Sequence, residues 1–298
     1  MESFIPKKYK GEIYAFASGV MYGLIGYFGI SIINASNSAE NMIFWRFLFS
    51  AIILLIFTLV KRSNKIPNYK EFIKVFLYGA LFYYPSTLVY FRSCVYIGSG
   101  LAMVIFFTYP VIVVLINRVF YKESISKLYY LALIIIAIGM ILIADFGNSN
   151  FSWFGIIYAI FSAIFYGLYI VFTKNVANSE PVFSSFVVSL GCTFAAFLFT
   201  LFDGSFALPG NIEVVLNITG MALISTAIPI LLLLESMKYI SSTKASILSV
   251  SEPIFVVIFG MILLGEQVSI IQAIGVFIIL SGAIVSLLPG VKKSSGDD

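Results

Sequence analysis

The sequence predicts an all-α integral membrane protein with ten transmembrane helices, arranged as two inverted five-helix repeats. Three observations predict this fold class. Hydrophobic residues make up 60% of the 298 positions and charged residues only 11%, which is more apolar surface than one soluble core can bury. The apolar residues fall into ten runs separated by short loops. Finally, the second half of the chain repeats the first.

The ten apolar runs, each about twenty residues long, suit a hydrocarbon layer about 30 Å thick. The first run follows Lys7, Lys8 and Lys10 and is longer than the core of a secretory signal, so we interpret it as a retained helix. In chain order, the predicted helices cover roughly 12–33, 40–60, 71–91, 98–118, 128–145, 152–172, 182–202, 214–234, 244–264 and 269–288.

Lysine and arginine residues lie almost entirely on one side of the predicted membrane. If the N-terminus is inside, sixteen of the 18 fall in inner segments, with Arg92 outside and Arg46 within predicted helix 2. This asymmetry follows the positive-inside rule. We therefore expect a multi-pass protein of the plasma membrane with both termini in the cytoplasm. The net charge of +4 is small, so membrane lipid rather than nucleic acid is the expected partner.

The two halves share residues at nearly constant spacing. Tyr22-Gly23-Leu24 recurs as Tyr166-Gly167-Leu168, 144 positions later. Further pairs at that spacing are Tyr14 and Tyr158, Ser18 and Ser162, and Pro85 and Pro229; pairs at 143 are Tyr96 and Tyr239, Pro110 and Pro253, Glu123 and Glu266, and Gly139 and Gly282. We predict two domains, 1–146 and 147–298, each a five-helix repeat. Because five is odd, the second repeat enters the membrane from the opposite side, as in many secondary transporters.

One acidic residue, Glu252, stands before Pro253 inside the apolar stretch 245–264. A carboxylate at that depth is costly, about 2.5–3.5 kcal/mol for an Asp at a helix centre. Glu252 should therefore face a cavity or a partner. Three roles remain open, namely a proton acceptor, a counter-charge to a cationic substrate, and a structural acid held by hydrogen bonds. The repeat aligns it with Tyr109.

Arg46 lies near the outer start of predicted helix 2, and two interpretations of it remain open. Its long side chain could extend outward to the membrane surface. Alternatively, it faces the cavity and either pairs with Glu252 or binds an anionic group through two parallel hydrogen bonds.

Pro110 and Pro253 fall near the middle of predicted helices 4 and 9. Each removes a backbone donor and frees the carbonyl four residues earlier, at Phe106 and Ser249. The functional interpretation is a gating bend, with Ser249 offered to the substrate. The structural one is a kink that only gives shape.

Aromatic residues supply further candidates for the lining of a cavity. The alternative is that they pack in the core or at the membrane interface. The candidates for substrate contact are Tyr22, Trp45, Tyr83, Tyr84, Tyr109 and Tyr166.

Several function classes lack the residues they need. The chain contains no histidine, and its two cysteines, Cys94 and Cys192, lie in separate apolar segments. We therefore predict no metal, no cofactor and no disulfide, and we do not expect an enzyme. The phosphate-binding pattern GxxxxGK[ST] is missing from the sequence, so direct use of ATP is not expected either.

The ends of the two halves carry the most specific motifs. Thr108-Tyr109-Pro110-Val111 leads to Lys122-Glu123, and Ser251-Glu252-Pro253-Ile254-Phe255 leads to Glu266. These motifs, with Arg46, resemble the EamA-type transporters of the drug/metabolite transporter superfamily over 11–288. The resemblance implies ten helices, a central cavity and movement of small metabolites across a bacterial inner membrane. Predicted helix 7 departs from the first repeat, since it carries no counterpart of Arg46.

We therefore expect a secondary transporter that moves a small amphipathic metabolite, such as an amino acid or a derivative, by alternating access. Two alternatives remain open. One is uptake or exchange of a cationic or cofactor-like metabolite, and the other is a facilitator or channel without gates. Proton coupling, and a monomeric or dimeric state, also remain open.

Overall fold

The computed structural model describes residues 9–25, 27–28, 38–61, 68–143, 152–176, 180–265 and 267–288. Lys7, Lys8 and Glu266, which the sequence analysis singled out, lie outside these described residues. The described residues form ten helical spans. These are α1 (Lys10–Tyr22), α2 (Ala39–Lys61), α3 (69–97), α4 (99–120), α5 (Lys127–Ile143), α6 (Trp153–Val176), α7 (Pro181–Asp203), α8 (Ile212–Ser236), α9 (Ser242–Leu264) and α10 (Ile270–Leu287).

The all-helical fold with ten spans is thus confirmed. Seven continuous helical stretches in the described part of the chain are long and apolar enough to cross a membrane, and Tyr109–Phe120 and Lys127–Ile143 are shorter apolar helices. The count of seven is lower than ten partly because α3 and α4 join within one stretch, Tyr69–Phe106. Gly98 forms that joint with φ 76° and ψ 156°. Residues with a side chain rarely adopt this backbone conformation.

Several helices begin at residues whose side chains accept a backbone N–H of the first turn. Asn68, Asn211 and Ser241 accept from the backbone N–H groups of Lys70, Val214 and Lys244. Ser269 and Gln272 form a reciprocal capping box at the start of α10. Residues next to each helix start therefore help to set where these helices begin.

The repeat reappears as two π-helical turns at equivalent places. Gly79–Tyr83 interrupts α3, and Leu223–Ala227 interrupts α8. Pro85 and Pro229 follow these turns in the first turn of the next helix. A proline cannot donate to the carbonyl four residues earlier and clashes with it, and the extra residue of a π turn relieves that clash.

α4 and α9 are broken rather than bent, which differs from the expected kink inside a continuous helix. The first segment of α4 ends at Phe106, and its second segment begins at Tyr109. In α9, a 3₁₀ turn, Ser249–Ser251, precedes the second segment, which begins at Glu252. Pro110 and Pro253 consequently lie in the first turn of a new helix. An N–H is unpaired there in any case, so the proline costs little.

The first helix of each half packs against the other half. Gly11 of α1 lies against Tyr239 at the end of α8, and Gly155 of α6 lies against Tyr96 at the end of α3. Other glycines make contacts exchanged in the same way. Gly23 of α1 lies against Phe255 of α9, and Gly167 of α6 lies against Ile112 of α4. Gly139 of α5 lies against Gly275 of α10, and Gly282 of α10 lies against Ala132 of α5. Contacts that swap in this way relate the two five-helix repeats by a two-fold pseudo-axis, and the odd number of spans makes the repeats inverted.

Candidate substrate site

Glu252 is the first residue of the second half of α9. The N-terminal end of a helix carries a partial positive charge that favours a carboxylate. The side chain is half-buried, and its carboxyl oxygens have no hydrogen-bond or ion-pair partner among the residues that the structure describes. A carboxylate at this depth without a protein partner is open to a ligand or to water.

Arg46 is 2% exposed, so its side chain does not extend to the membrane surface. Its Nε donates to Thr226 Oγ1 at 2.7 Å and its Nη2 to the Ser225 carbonyl at 3.4 Å, both in the π turn of α8. No carboxylate of the described chain lies within 4 Å of the guanidinium, although its charge acts on Glu252. A buried cation with only neutral partners carries a large desolvation cost.

Five buried tyrosines from α1, α3, α4 and α6 contact one another through their rings or hydroxyls. We call Tyr22, Tyr83, Tyr109, Tyr166 and Tyr169 the tyrosine cluster. The hydroxyls of Tyr22 and Tyr83 share a hydrogen bond of 2.9 Å. Tyr83 stacks on Tyr169, and Tyr109 meets Tyr166 edge to face, each pair with centroids 4.7 Å apart. The rings of Tyr83 and Tyr166, 5.7 Å apart, join the two pairs.

Arg46 and Glu252 both lie near this cluster. Both are close to Tyr83, and Glu252 is also close to Tyr109 and Tyr166. Among the described residues, the arrangement places an arginine and a carboxyl group, which do not pair with each other, near a set of aromatic rings. Such a site can hold a molecule that has both charges and an apolar body.

Ser249 lies beside Tyr109, but its hydroxyl donates to the Ala245 carbonyl at 2.8 Å within its own helix. The Ser249 carbonyl faces Gly19 so closely that an added Cβ there would lie 2.8 Å from it. The structure therefore brings Ser249 to the site while its polar atoms already face other parts of the protein.

Trp45 and Tyr84 lie outside the tyrosine cluster. Trp45 Nε1 donates to the Ala207 carbonyl at 2.9 Å, in the loop after α7. Tyr84 packs beside Phe199, with ring centroids 6.3 Å apart, and its hydroxyl is buried without a described partner. Both residues belong to the end of the bundle where α2 begins.

Tyr169, Ser225 and Thr226 were not among the residues predicted from the sequence. Tyr169 follows Tyr166 by three positions, a spacing that places both on one helix face. Thr226 is a hydroxyl residue in an apolar span, 144 positions after Phe82. Both signals are present in the sequence, but neither distinguishes a site residue from a packed one.

A sequence profile of the EamA-like transporter family matches the chain twice, over residues 9–144 and 153–288. The chain belongs to this family. The resemblance to the drug/metabolite transporter superfamily is thereby confirmed, and the two matched stretches correspond to the two structural repeats. This EamA protein is a membrane transporter and not an enzyme.

Relatives of this EamA transporter carry the same general description. It is 23% identical over 276 residues to the uncharacterized transporter YdfC of Bacillus subtilis (strain 168), covering 91% of this chain and 85% of the relative. It is 25% identical over 277 residues to an uncharacterized transporter of Archaeoglobus fulgidus, covering 93% and 96%. A solved crystal structure superimposes with a TM-score of 0.79 at 16% identity, over 93% of this chain and 96% of the other, and shows a common fold.

Proposed function

We propose that this EamA protein is a secondary transporter of a small amphipathic metabolite, an amino acid or a derivative of one. It would act in the plasma membrane, with both termini in the cytoplasm, and expose a central cavity to each side in turn. The two halves, 1–146 and 147–298, would move against each other. The observation that carries the proposal is that an arginine and a carboxyl group, Arg46 and Glu252, lie near the tyrosine cluster without pairing to each other.

The chemistry of an amino acid matches each part of this site. A carboxylate would fit the planar guanidinium of Arg46, which has N–H groups beyond those bonded to Thr226 and Ser225. An ammonium group supplies the partner that Glu252 lacks. The side chain of the substrate would pack against the tyrosine rings, which also attract a cation through their faces.

Alternating access requires elements that can change shape, and the breaks in α4 and α9 are suited to this. Pro110 and Pro253 begin the second halves of these helices at equivalent positions. Broken helices that meet a substrate near the midplane are the usual design of transporters with inverted repeats. Glu252 also offers a route for proton coupling, since it could release a proton when the substrate binds.

A second candidate is a cationic substrate without a carboxylate. The closeness of Glu252 to several tyrosine faces favours it, because aromatic rings and one carboxylate suffice for a cation. Under this alternative Arg46 would have no anion to bind and would serve only the packing between α2 and α8.

Counterflow in proteoliposomes tests the proposal with a panel of amino acids, the matching amines without a carboxylate, and the matching acids without an amine. We expect uptake of at least one amino acid and weak uptake of its two truncated forms. Glu252→Gln should lower that flux by about 30-fold or more, because a buried charge contact contributes roughly 2–5 kcal/mol to binding. Glu235→Gln is the matched control, since that acid pairs with Lys238 at the exposed end of α8.

Three outcomes would contradict the proposal. No panel compound moves, or the amine moves as well as the amino acid, or Glu252→Gln keeps the flux and pH dependence of the unchanged protein. The second outcome would favour the cationic substrate.

A further inference from the structure

One end of the bundle is held together by polar contacts between α1, α4, α6, α8 and α9. At its centre, Lys244 Nζ of α9 donates to Glu12 Oε1 of α1 at 2.7 Å. The two side chains are 19% and 15% exposed, so the pair is screened from bulk water. This contact lies where α1 and α9 both begin.

Two further contacts surround this ion pair. Asn117 Nδ2 at the end of α4 donates to Ser242 Oγ and Thr243 Oγ1, both at 2.8 Å. Lys174 Nζ at the end of α6 donates to the Ile240 carbonyl at 3.2 Å and also to the Met237 carbonyl. We call this set the polar seal: Glu12, Asn117, Lys174, Ser242, Thr243 and Lys244.

The repeat assigns an equivalent contact to the opposite end of the bundle. Ile156 stands 144 positions after Glu12, and Leu101 stands 143 positions before Lys244. Both pack against a small apolar cluster of buried residues. We call this set the apolar seal: Ile97, Leu101, Ala102, Ile156 and Ala159.

The backbone frame around the two seals is nearly the same. Tyr14 meets Tyr239 beside the polar seal with ring centroids 6.4 Å apart, and Tyr158 meets Tyr96 beside the apolar seal at 5.9 Å. The glycines Gly11 and Gly155 make the equivalent close contacts described above. At these equivalent positions the two ends therefore differ in the chemistry of their side chains rather than in the way their helices meet.

We propose that these unequal seals bias the transporter toward opening at the end that carries the polar seal. When the polar seal separates, water replaces the lost hydrogen bonds and hydrates the separated charges, so the net cost is small. When the apolar seal separates, apolar surface enters water at a cost that grows with its area. The resting protein therefore favours a substrate site that faces the side of Glu12 and Lys244, which the charge asymmetry assigns to the cytoplasm.

This inference rests on the alternating-access proposal, since a bias between two openings needs two openings. It requires no knowledge of the substrate. Replacing the central pair of one seal by its counterparts in the other half exchanges an ion pair for an apolar pair, so the chain supplies its own test variants. Glu12→Ile with Lys244→Leu converts the polar seal, and Leu101→Lys with Ile156→Glu converts the apolar seal.

Hydrogen–deuterium exchange of the full chain in lipid nanodiscs measures how often each end opens. Peptides from 10–22 and 242–248 report on the polar seal, and peptides from 99–106 and 153–160 report on the apolar seal. In the unchanged protein we expect faster exchange at the polar seal. Glu12→Ile with Lys244→Leu should slow exchange there by about tenfold, or ~1.4 kcal/mol, and speed exchange at the apolar seal. The reciprocal variant should speed exchange at the apolar seal and narrow the original difference.

The direction of the change separates this proposal from a simple clamp. If the ion pair only clamps α1 to α9, removing it will speed exchange at the polar seal, which would overturn the proposal. Unchanged exchange at both ends would overturn it too. If both ends speed up or slow down together, alternating access itself is wrong. Glu12→Lys with Lys244→Glu keeps an ion pair and should exchange as the unchanged protein does. If Glu12→Ile with Lys244→Leu does not fold, exchange in Leu101→Lys with Ile156→Glu decides.

Discussion

The crossing of α3 with α7 and the crossing of α8 with α2 occupy equivalent places in the two halves, yet they are built differently. At the α3–α7 crossing the backbones touch. An added Cβ on Gly79 would lie 2.4 Å from the Val188 carbonyl oxygen, and one on Gly191 would lie 2.2 Å from the Phe76 carbonyl oxygen. Two glycines thus permit a contact that any side chain would prevent.

At the α2–α8 crossing, Leu223 and Phe47 replace these glycines, 144 positions away in each case. Helices with such side chains cannot approach to backbone contact. Arg46 lies at this crossing and donates to Thr226. Its counterpart at the tight crossing is the apolar Leu190.

This difference indicates that the features repeated in both halves and the polar groups present in only one half serve separate purposes. Glycines, prolines and π turns recur in both halves because both halves must fold in the same way. Arg46 and Glu252 occur once each, and under the proposed function they are the groups that bind the substrate. We therefore expect stability to depend on the tight crossing and transport on the loose one.

The largest effect on stability should come from adding a side chain where α3 crosses α7. Gly191→Ala places a methyl group against backbone atoms that cannot move aside, so we expect a loss of about 3 kcal/mol or more in the free energy of unfolding. Gly210→Ala is the control, because nothing lies within 4 Å of the added Cβ. Thermal unfolding in nanodiscs measures both. Equal melting temperatures for the two variants would show that the backbones at this crossing do not touch.

Making the loose crossing apolar should separate stability from transport. Arg46→Leu gives α2 the residue found at the equivalent place in α7. Flux should fall by about 30-fold or more, since a buried charge contact to the substrate is lost. Stability should stay level or rise, because an unpaired buried cation is removed and Thr226 keeps its own bond to the Met221 carbonyl. A lower melting temperature with unchanged flux would show that Arg46 serves packing only.

A smaller effect concerns the ends of α4 and α9. Lys122 has φ 51° just after α4, where the second repeat has Gly265 with φ 70°. A side chain in this left-handed conformation is strained, so Lys122→Gly should raise the free energy of unfolding by about 0.5–1 kcal/mol. Gly265→Lys should lower it by a similar amount. If Lys122→Gly destabilises the protein instead, the side chain makes a contact that outweighs the strain.

The smallest effect should come from Glu123, in the loop between α4 and α5. Burial raises the pKa of this carboxyl above its usual range, against hydrogen bonds from Thr243 and Ser241 and the charge of Lys174. The folded protein then holds the proton more tightly than the unfolded chain, so stability falls as pH rises from the usual pKa through the raised one.

Glu123→Gln replaces the ionisable carboxyl with an amide that stays neutral. The melting temperature of this variant should therefore exceed that of the unchanged protein slightly near pH 8 and match it near pH 4, about the ordinary pKa of a glutamate. A difference that is independent of pH would show that the amide changes packing rather than ionisation.

Much of the fold follows from the sequence in simple physical terms. The lengths of the apolar runs set the number of spans, and the recurrence of Tyr22-Gly23-Leu24 and of Pro110 set the repeat. The π turns and the breaks before Tyr109 and Glu252 do not follow. Apolar periodicity is nearly the same for a helix that continues and for one that slips by a residue, so a proline predicts a disturbance but not its form.

The site was partly predictable for a similar reason. Glu252 is apparent because a charge in an apolar span is rare and costly. The partners of Arg46 are not, because its direction depends on the space that Leu223 and Phe47 leave between α2 and α8. Trp45 and Tyr84 are as aromatic as Tyr166, and only the packing of the helices distinguishes them.

The exchange of first helices between the halves has a consequence for biosynthesis. Ser18 of α1 donates to the Pro229 carbonyl of α8, across 211 positions of the chain. At ribosomal rates of about 5–20 residues per second, the nascent α1 waits roughly 10–40 s in the bilayer before that partner is made. During this interval the Ser18 hydroxyl lacks this partner, although Tyr83, the partner of Tyr22 in the same helix, is made much earlier. This contact between the two halves therefore forms only late in the synthesis of the transporter.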